Sequence, residues 1–206
     1  MRVMAGLAQP SAGAVRQDDD LRVGYLGHST FLYAGLSALE NLNFWREAYG
    51  LRLSRQDLLA CLERVGLAAH AQERAGIFSR GMAQRLNLAR VLMQEPDLLL
   101  LDEPGTGLDA ASLALLRREI STARARGACV VLISHDLAGD APLADRLLAL
   151  GEGRLLFDGP PAGFDGFAAS NSLAPDALTP GAFTAGPCAS GAPTADRPAG
   201  GPPCCA

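Results

Sequence analysis

Two carboxylates, Asp102 and Glu103, follow four consecutive leucines in the stretch Pro96-Asp97-Leu98-Leu99-Leu100-Leu101-Asp102-Glu103-Pro104-Gly105-Thr106-Gly107-Leu108-Asp109. Such an unbroken apolar run fits a strand buried on both faces, as in a parallel sheet. It delivers its charges at the C-terminal edge, where ligands of open α/β sheets bind. Burying both carboxylates without a partner costs several kcal/mol, which is comparable to a small domain's whole stability. A cation or polar ligand is therefore expected, with Asp102 holding Mg²⁺ and Glu103 polarising a water. The same residues also suit an ordinary core strand whose acidic end caps the next helix.

A second group is Phe78-Ser79-Arg80-Gly81-Met82-Ala83-Gln84-Arg85. A Ser hydroxyl, an approachable Gly backbone and a helix N-terminus supply N–H donors and positive dipole to an anion such as a phosphate. A capped amphipathic helix accounts for the same residues. The third group is His135, just past the apolar segment Cys129 to Ile133, where an imidazole can reach a ligand at the same sheet edge. A polar loop histidine is the plainer reading.

The elements that position these groups follow from periodicity. Val3 to Leu7 reads as the end of a helix, Ala14 to Arg16 as a short strand and Leu21 to Leu26 as a second strand, left through the polar loop Gly27-His28-Ser29-Thr30. Ser37 with Glu40 three residues on is a capping box, and the helix it opens carries Leu39, Leu42, Trp45 and Tyr49 before Gly50. A helix from Ser54 places Leu58, Leu62 and Val65 on one face. Ser79 caps a helix with Met82, Leu86, Ala89 and Met93 inward, ending before Pro96. The helix after Asp109 turns Leu113, Leu116 and Ile120 inward and ends at Gly127. Cys129 to Ile133 reads as a further buried strand, and Arg146 to Leu150 with Arg154 to Phe157 as a terminal hairpin. Strands alternating with helices make the chain α/β.

The 206 residues are 49% hydrophobic and 19% charged, enough for one sizeable core at residues 1–160. From Pro160 onward nine of the 13 prolines occur among Gly, Ala and Ser without apolar periodicity, so residues 161–206 are expected to form a disordered tail. A net charge of -4 and a pI near 5.3 argue against a nucleic-acid partner. No apolar stretch approaches the roughly 18 residues that span a bilayer, so a membrane role must come through a partner. The five cysteines form neither a disulfide framework nor a zinc pattern, and Cys61 and Cys129 read as inert core thiols.

In their order and spacing, these groups resemble the nucleotide-binding domain of ABC transporters, over about residues 1–160. Phe78 to Met82 stands for the L-S-G-G-Q signature, Leu98 to Glu103 for Walker B, Gly107-Leu108-Asp109 for the D-loop and His135 for the switch histidine. The resemblance implies a P-loop NTPase-type parallel sheet core with a helical subdomain, binding ATP and Mg²⁺. It makes Glu103 the general base on the attacking water, Asp102 the Mg²⁺ residue and His135 a contact to the γ-phosphate. Ser79, Gly81 and Asp109 would serve a nucleotide shared with a second subunit, since the family works as a sandwich dimer, homodimeric or paired. Its other partners would be membrane-spanning transporter subunits, placing the chain on the cytoplasmic face of the inner membrane.

Two departures accompany the likeness. Phe78, Arg80 and Met82 replace Leu, Gly and Gln of the signature, and no G-x-x-x-x-G-K-[ST] occurs in the 206 residues. Arg2 to Leu7 looks like the helix that follows that P-loop, so the true start is expected upstream of Met1, with an interaction module lacking activity as the alternative. Three lost charge-assisted hydrogen bonds at ~1.5–3 kcal/mol each weaken ATP binding by roughly a thousandfold or more. Tyr25-Leu26-Gly27-His28 places His28 where most of the family has the Q-loop glutamine, which makes it a further expected nucleotide-binding residue, and Ala38-Leu39-Glu40-Asn41-Leu42 follows. Both features resemble ATP-binding subunits of haem exporters in cytochrome c maturation, with the ATPase subunit of a different ABC exporter as the alternative, since other exporters share the A-L-E-N-L pattern. The Q-loop and helical subdomain, which couple the family to its membrane partner, correspond to His28 through Tyr49, with Phe31, Tyr33, Phe44 and Trp45.

Overall fold

The computed structural model describes residues 1–27 and 29–164. Three parallel strands form its centre: β1 (Val23–Leu26), β2 (Leu98–Asp102) and β3 (Cys129–Ile133), in the order β1-β2-β3. Tyr25 is in register with Leu100, and Asp102 with Ile133. Leu99, Leu100 and Leu101 are fully buried, as the apolar run requires of a strand covered on both faces.

Two helices connect β1 to α3 (Arg80–Leu92): α1 (Ala38–Ala48) and α2 (Arg55–Arg64). Each opens with a reciprocal cap. Ser37 Oγ accepts from the Glu40 N–H while Glu40 Oε2 accepts from the Ser37 N–H, and Ser54 pairs with Asp57 in the same way. Leu39 and Leu42 of α1 and Leu58 and Leu62 of α2 join Leu86 and Ala89 of α3, and Met93 just after it, in one apolar cluster. Leu88, Val91 and Leu92 of α3 belong to a second cluster with Leu26, Leu99, Leu101 and the inner face of α4 (Ala110–Ala125). Helix α3 is therefore buried on more than the one face expected of it, because it is wedged between the helical subdomain and the sheet.

After β3 come the short helix α5 (Leu137–Asp140) and a two-stranded antiparallel hairpin, β4 (Leu147–Gly151) with β5 (Arg154–Gly159). Three expectations need correcting. Residues 1–7 form turns rather than a helix, ended by Gly6 at φ +71°. Ala14 to Arg16 is exposed and pairs with no strand among the described residues. Strand β3 is only half-buried and Cys129 is exposed, not a core thiol, because β3 is the edge of the three-stranded sheet. The segment 165–206, expected to be disordered, lies outside the described residues.

Candidate functional site

Strand β2 brings Asp102 and Glu103 to the C-terminal edge of the sheet, and β3 brings His135 beside them. The Tyr25 hydroxyl of β1 donates to Asp102 Oδ2 at 3.3 Å and is the carboxylate's one side-chain partner among the described residues. Burial, and then the neighbouring Asp102 charge, push the Tyr25 phenol above its ordinary pKa, so it stays a donor. Asp102 is half-buried and its partner is a hydroxyl rather than a cation, an arrangement that fits Mg²⁺.

Glu103 has left the strand. Its backbone is in the left-handed region, φ +50°, a conformation that costs a non-glycine residue about 1–3 kcal/mol. Its N–H still donates to the Ile133 carbonyl at 3.0 Å, which ties the turn to the end of β3. The side chain then meets His135, with Nε2 2.6 Å from Glu103 Oε1. A carboxylate can only accept, so this Nε2 carries the proton. Thr106 Oγ1 donates to the other oxygen, Oε2, at 3.3 Å. The chain thus brings a carboxylate and an imidazole 32 positions apart into contact, directly after Asp102.

The signature residues stand at a different place. Ser79 caps α3, its Oγ accepting from the Met82 N–H at 3.2 Å, and is exposed. Gly81 lies at the start of that helix against α4, where an added β-carbon would sit 3.8 Å from Ser112 Oγ and 4.0 Å from Leu108. Asp109 caps α4, accepting from the Ser112 N–H at 2.7 Å, and that bond holds its carboxyl below the usual range. Gln84 Nε2 donates to the Pro104 carbonyl at 3.3 Å. Helix α3 thereby leans on the turn after β2, but among the described residues no hydrogen bond joins Ser79 or Gly81 to Asp102, Glu103 or His135. His28 lies outside the described residues.

Sequence reasoning missed Tyr25, Thr106 and Arg117. Thr106 could have been found, three residues after Glu103 in a turn-forming stretch. Tyr25 is 77 residues from Asp102, and nothing local marks it. Neither does anything mark Arg117, which binds the loop after His135.

A family model described as ABC transporter matches residues 1–106. The molybdenum import ATP-binding protein ModC of Mycobacterium tuberculosis (strain H37Rv) is 38% identical over 184 residues, covering 79% of this chain and 50% of ModC. The cytochrome c biogenesis ATP-binding export protein CcmA of Rhodopseudomonas palustris is 37% identical over 146 residues, covering 68% of this chain and 72% of the relative. NatA of Bacillus subtilis, an ABC transporter ATP-binding protein, is 32% identical, with 77% and 70% covered. The chain thus spans about half the length of ModC. A dimeric ATP-binding cassette solved in a post-hydrolysis state with ADP and Pi superposes with a TM-score of 0.68 at 23% identity over 79% of each chain, a likeness of fold. A second solved structure, the ATP-binding subunit of an ABC transporter, gives 0.68 at 28% identity over 77% of this chain and 71% of its own.

Proposed function

Because the chain belongs to the ABC transporter family, we propose that it serves as an ATP-binding subunit coupling ATP hydrolysis to export through membrane-spanning partner subunits, with haem in cytochrome c biogenesis as cargo. The observation that carries the reading is the 2.6 Å contact between His135 Nε2 and Glu103 Oε1 beside Asp102. Glu103 is the general base that takes a proton from the attacking water, and Thr106 orients it. His135 donates to Glu103 in the contact seen here, and with ATP bound its Nε2–H would hydrogen-bond the γ-phosphate instead, freeing the carboxylate. Asp102 would hold Mg²⁺, which supplies positive charge to the phosphates. Ser79 and the backbone of Gly81 present the start of α3 to a nucleotide held mainly by a second copy or paired subunit, with Asp109 at the same seam.

Haem as cargo is supported by the Gly27-His28 and Ala38-Leu39-Glu40-Asn41-Leu42 segments and by identity to CcmA of two bacteria, 37% and 38%. Among the described residues no helix is long and apolar enough to cross a membrane; in this reading the chain sits on the cytoplasmic face of the inner membrane through its partner subunits. The test joins a P-loop-bearing segment ahead of Met1 and measures Mg²⁺-dependent ATP hydrolysis. Glu103→Gln is expected to lose roughly a hundredfold or more in kcat, the scale of general-base catalysis. Hydrolysis unaffected by Glu103→Gln would refute the site. The same protein is then expected to restore holocytochrome c formation in R. palustris lacking CcmA. Failure there with hydrolysis intact removes haem as cargo and leaves the ATPase.

A second reading, a module that lends its signature helix to a complete partner, is favoured by the exposed, capped start of α3 at Ser79. Mixing the 206-residue chain with CcmA should then give a heterodimer that retains ATPase activity. No association would dispose of it.

A further inference from the structure

The imidazole of His135 is 81% exposed, and its one hydrogen-bond partner among the described residues is Glu103. Its position must therefore come from the backbone on either side, and both neighbours are tied down. Ser134 Oγ donates to Asp140 Oδ2 at 2.6 Å and accepts from the Asp136 N–H at 3.0 Å. Asp136 Oδ1 accepts from the Gly139 N–H at 3.0 Å. Two carboxylates, Asp136 and Asp140, thus close the loop that carries the histidine, and they would repel each other without a cation between them.

That cation is Arg117 of α4. Its Nη2 donates to Asp136 Oδ2 at 2.7 Å and its Nε to Asp140 Oδ1 at 2.9 Å, so one rigid fork spans both ends of the loop. Residue 139 confirms how tightly the fork sits, because a β-carbon there would run into both Arg117 Nη2 and Asp136 Oδ2. Arg117 stands about two turns along the helix that Asp109 caps.

Resting on the reading of Glu103 and His135 as an acid–base pair, we propose that Arg117 is a positioning residue that holds His135 in reach of Glu103, through the clamp on Asp136 and Asp140. Because α4 also begins at Asp109, the same helix links the D-loop to the switch histidine.

The test needs no nucleotide, so it can fail independently of the ATPase reading. In the ¹⁵N-labelled 206-residue chain, long-range ¹H–¹⁵N spectra report the ring nitrogens of the histidines, and His135→Asn identifies the resonance of interest. Glu103→Gln is expected to displace the His135 Nε2 resonance. Arg117→Gln and Gly139→Ala should displace it in the same direction while the backbone amides of β2 and α3 stay in place, and Arg117→Lys should return it part of the way. Gly139→Ala forces the Arg117 and Asp136 side-chain ends apart without altering any charge, so it tests the clamp if Arg117→Gln loses the fold as a whole. A His135 resonance that moves in Glu103→Gln but stays at its wild-type position in the other two variants would overturn the proposal. So would one that Glu103→Gln leaves unmoved.

Discussion

The guanidinium of Arg90 on α3 lies 4.9 Å from the ring centre of Trp45 on α1, and it is buried without a carboxylate partner among the described residues. Its donors go instead to the Tyr49 hydroxyl, to Asn87 Oδ1 at 2.9 Å and to the Tyr25 carbonyl at 3.1 Å, while the Phe31 ring sits 5.5 Å away. Burial pulls its pKa below the ordinary arginine value, although the group stays charged. One side chain thereby pins β1, the segment after it and the helical subdomain to α3.

Removing that side chain leaves the Tyr25 carbonyl unpaired and opens a space beneath Trp45. Arg90→Ala is expected to destabilise the chain by about 2–4 kcal/mol, read from the midpoint of urea unfolding. Arg90→Lys should recover little, because an ammonium reaches fewer of these acceptors and stacks poorly on the ring. A loss within about 0.5 kcal/mol would mean that the aromatic and carbonyl contacts contribute nothing net.

Helices α1 and α2 and strand β2 were legible because their signals are local. Ser37 and Glu40, Ser54 and Asp57, and the run Leu98–Leu101 each specify an element within a few residues, and each element formed. Asp102, Glu103 and His135 were legible through their place at strand ends. What joins them was not, since Tyr25 reaches Asp102, and Arg117 reaches Asp136, only after the sheet and α4 have packed. The expected burial of β3 failed for a related reason. An apolar pentapeptide marks a strand but does not say how many neighbours it has, and Cys129–Ile133 sits at the sheet's edge.

Acid should weaken the structure through its caps. The carboxyls of Asp109 and Asp136 lie below their ordinary values, the first because the Ser112 N–H donates to it, the second because of the Gly139 N–H and then Arg117. The unfolded chain therefore binds more protons than the folded one. The stabilisation is complete above the ordinary carboxylate range of about 4 and is lost as pH falls through the lower folded values. Asp109→Asn keeps a cap that does not titrate, so its stability should fall less steeply than wild type between about pH 5 and pH 2. Parallel curves for the two proteins would contradict this assignment.

Glu119 of α4 is only 3% exposed and takes both Nε and Nη2 of Arg64, the last residue of α2. This pair bolts the helical subdomain to the helix that follows the D-loop. Arg64→Ala strands the buried carboxylate with Arg118 Nη2 at 3.3 Å as its one remaining ionic partner among the described residues. The expected cost is about 2–3 kcal/mol, less than for a fully buried pair because Arg64 is partly solvated. Replacing both residues, as in Arg64→Met with Glu119→Leu, should restore most of that loss. A double variant as unstable as Arg64→Ala would indicate that the pair itself, rather than the abandoned charge, holds the helices together.

The outer face of α1 bears on the proposed coupling to a membrane partner. Trp45 faces inward, donating from Nε1 to the Phe31 carbonyl at 3.0 Å and packing on the helical core, so Phe44 is the aromatic that points out, at 39% exposure. Tyr33 meets it edge-on with ring centres 4.6 Å apart, and Phe31 is also exposed. Asn41 fixes this arrangement from beneath: it is fully buried, its Oδ1 accepting from the Tyr33 N–H and its Nδ2 donating to the Tyr33 carbonyl. A preorganised aromatic patch of this kind suits a partner pocket, where one buried ring contributes ~2 kcal/mol or more, a roughly thirtyfold change in affinity. In a chain carrying a P-loop segment ahead of Met1, Phe44→Ala with Phe31→Ala is expected to leave ATP hydrolysis by the isolated subunit intact while weakening co-purification with the membrane subunits. Complex formation and cargo-dependent activity unchanged by both substitutions would return these rings to a purely structural role in the helical subdomain.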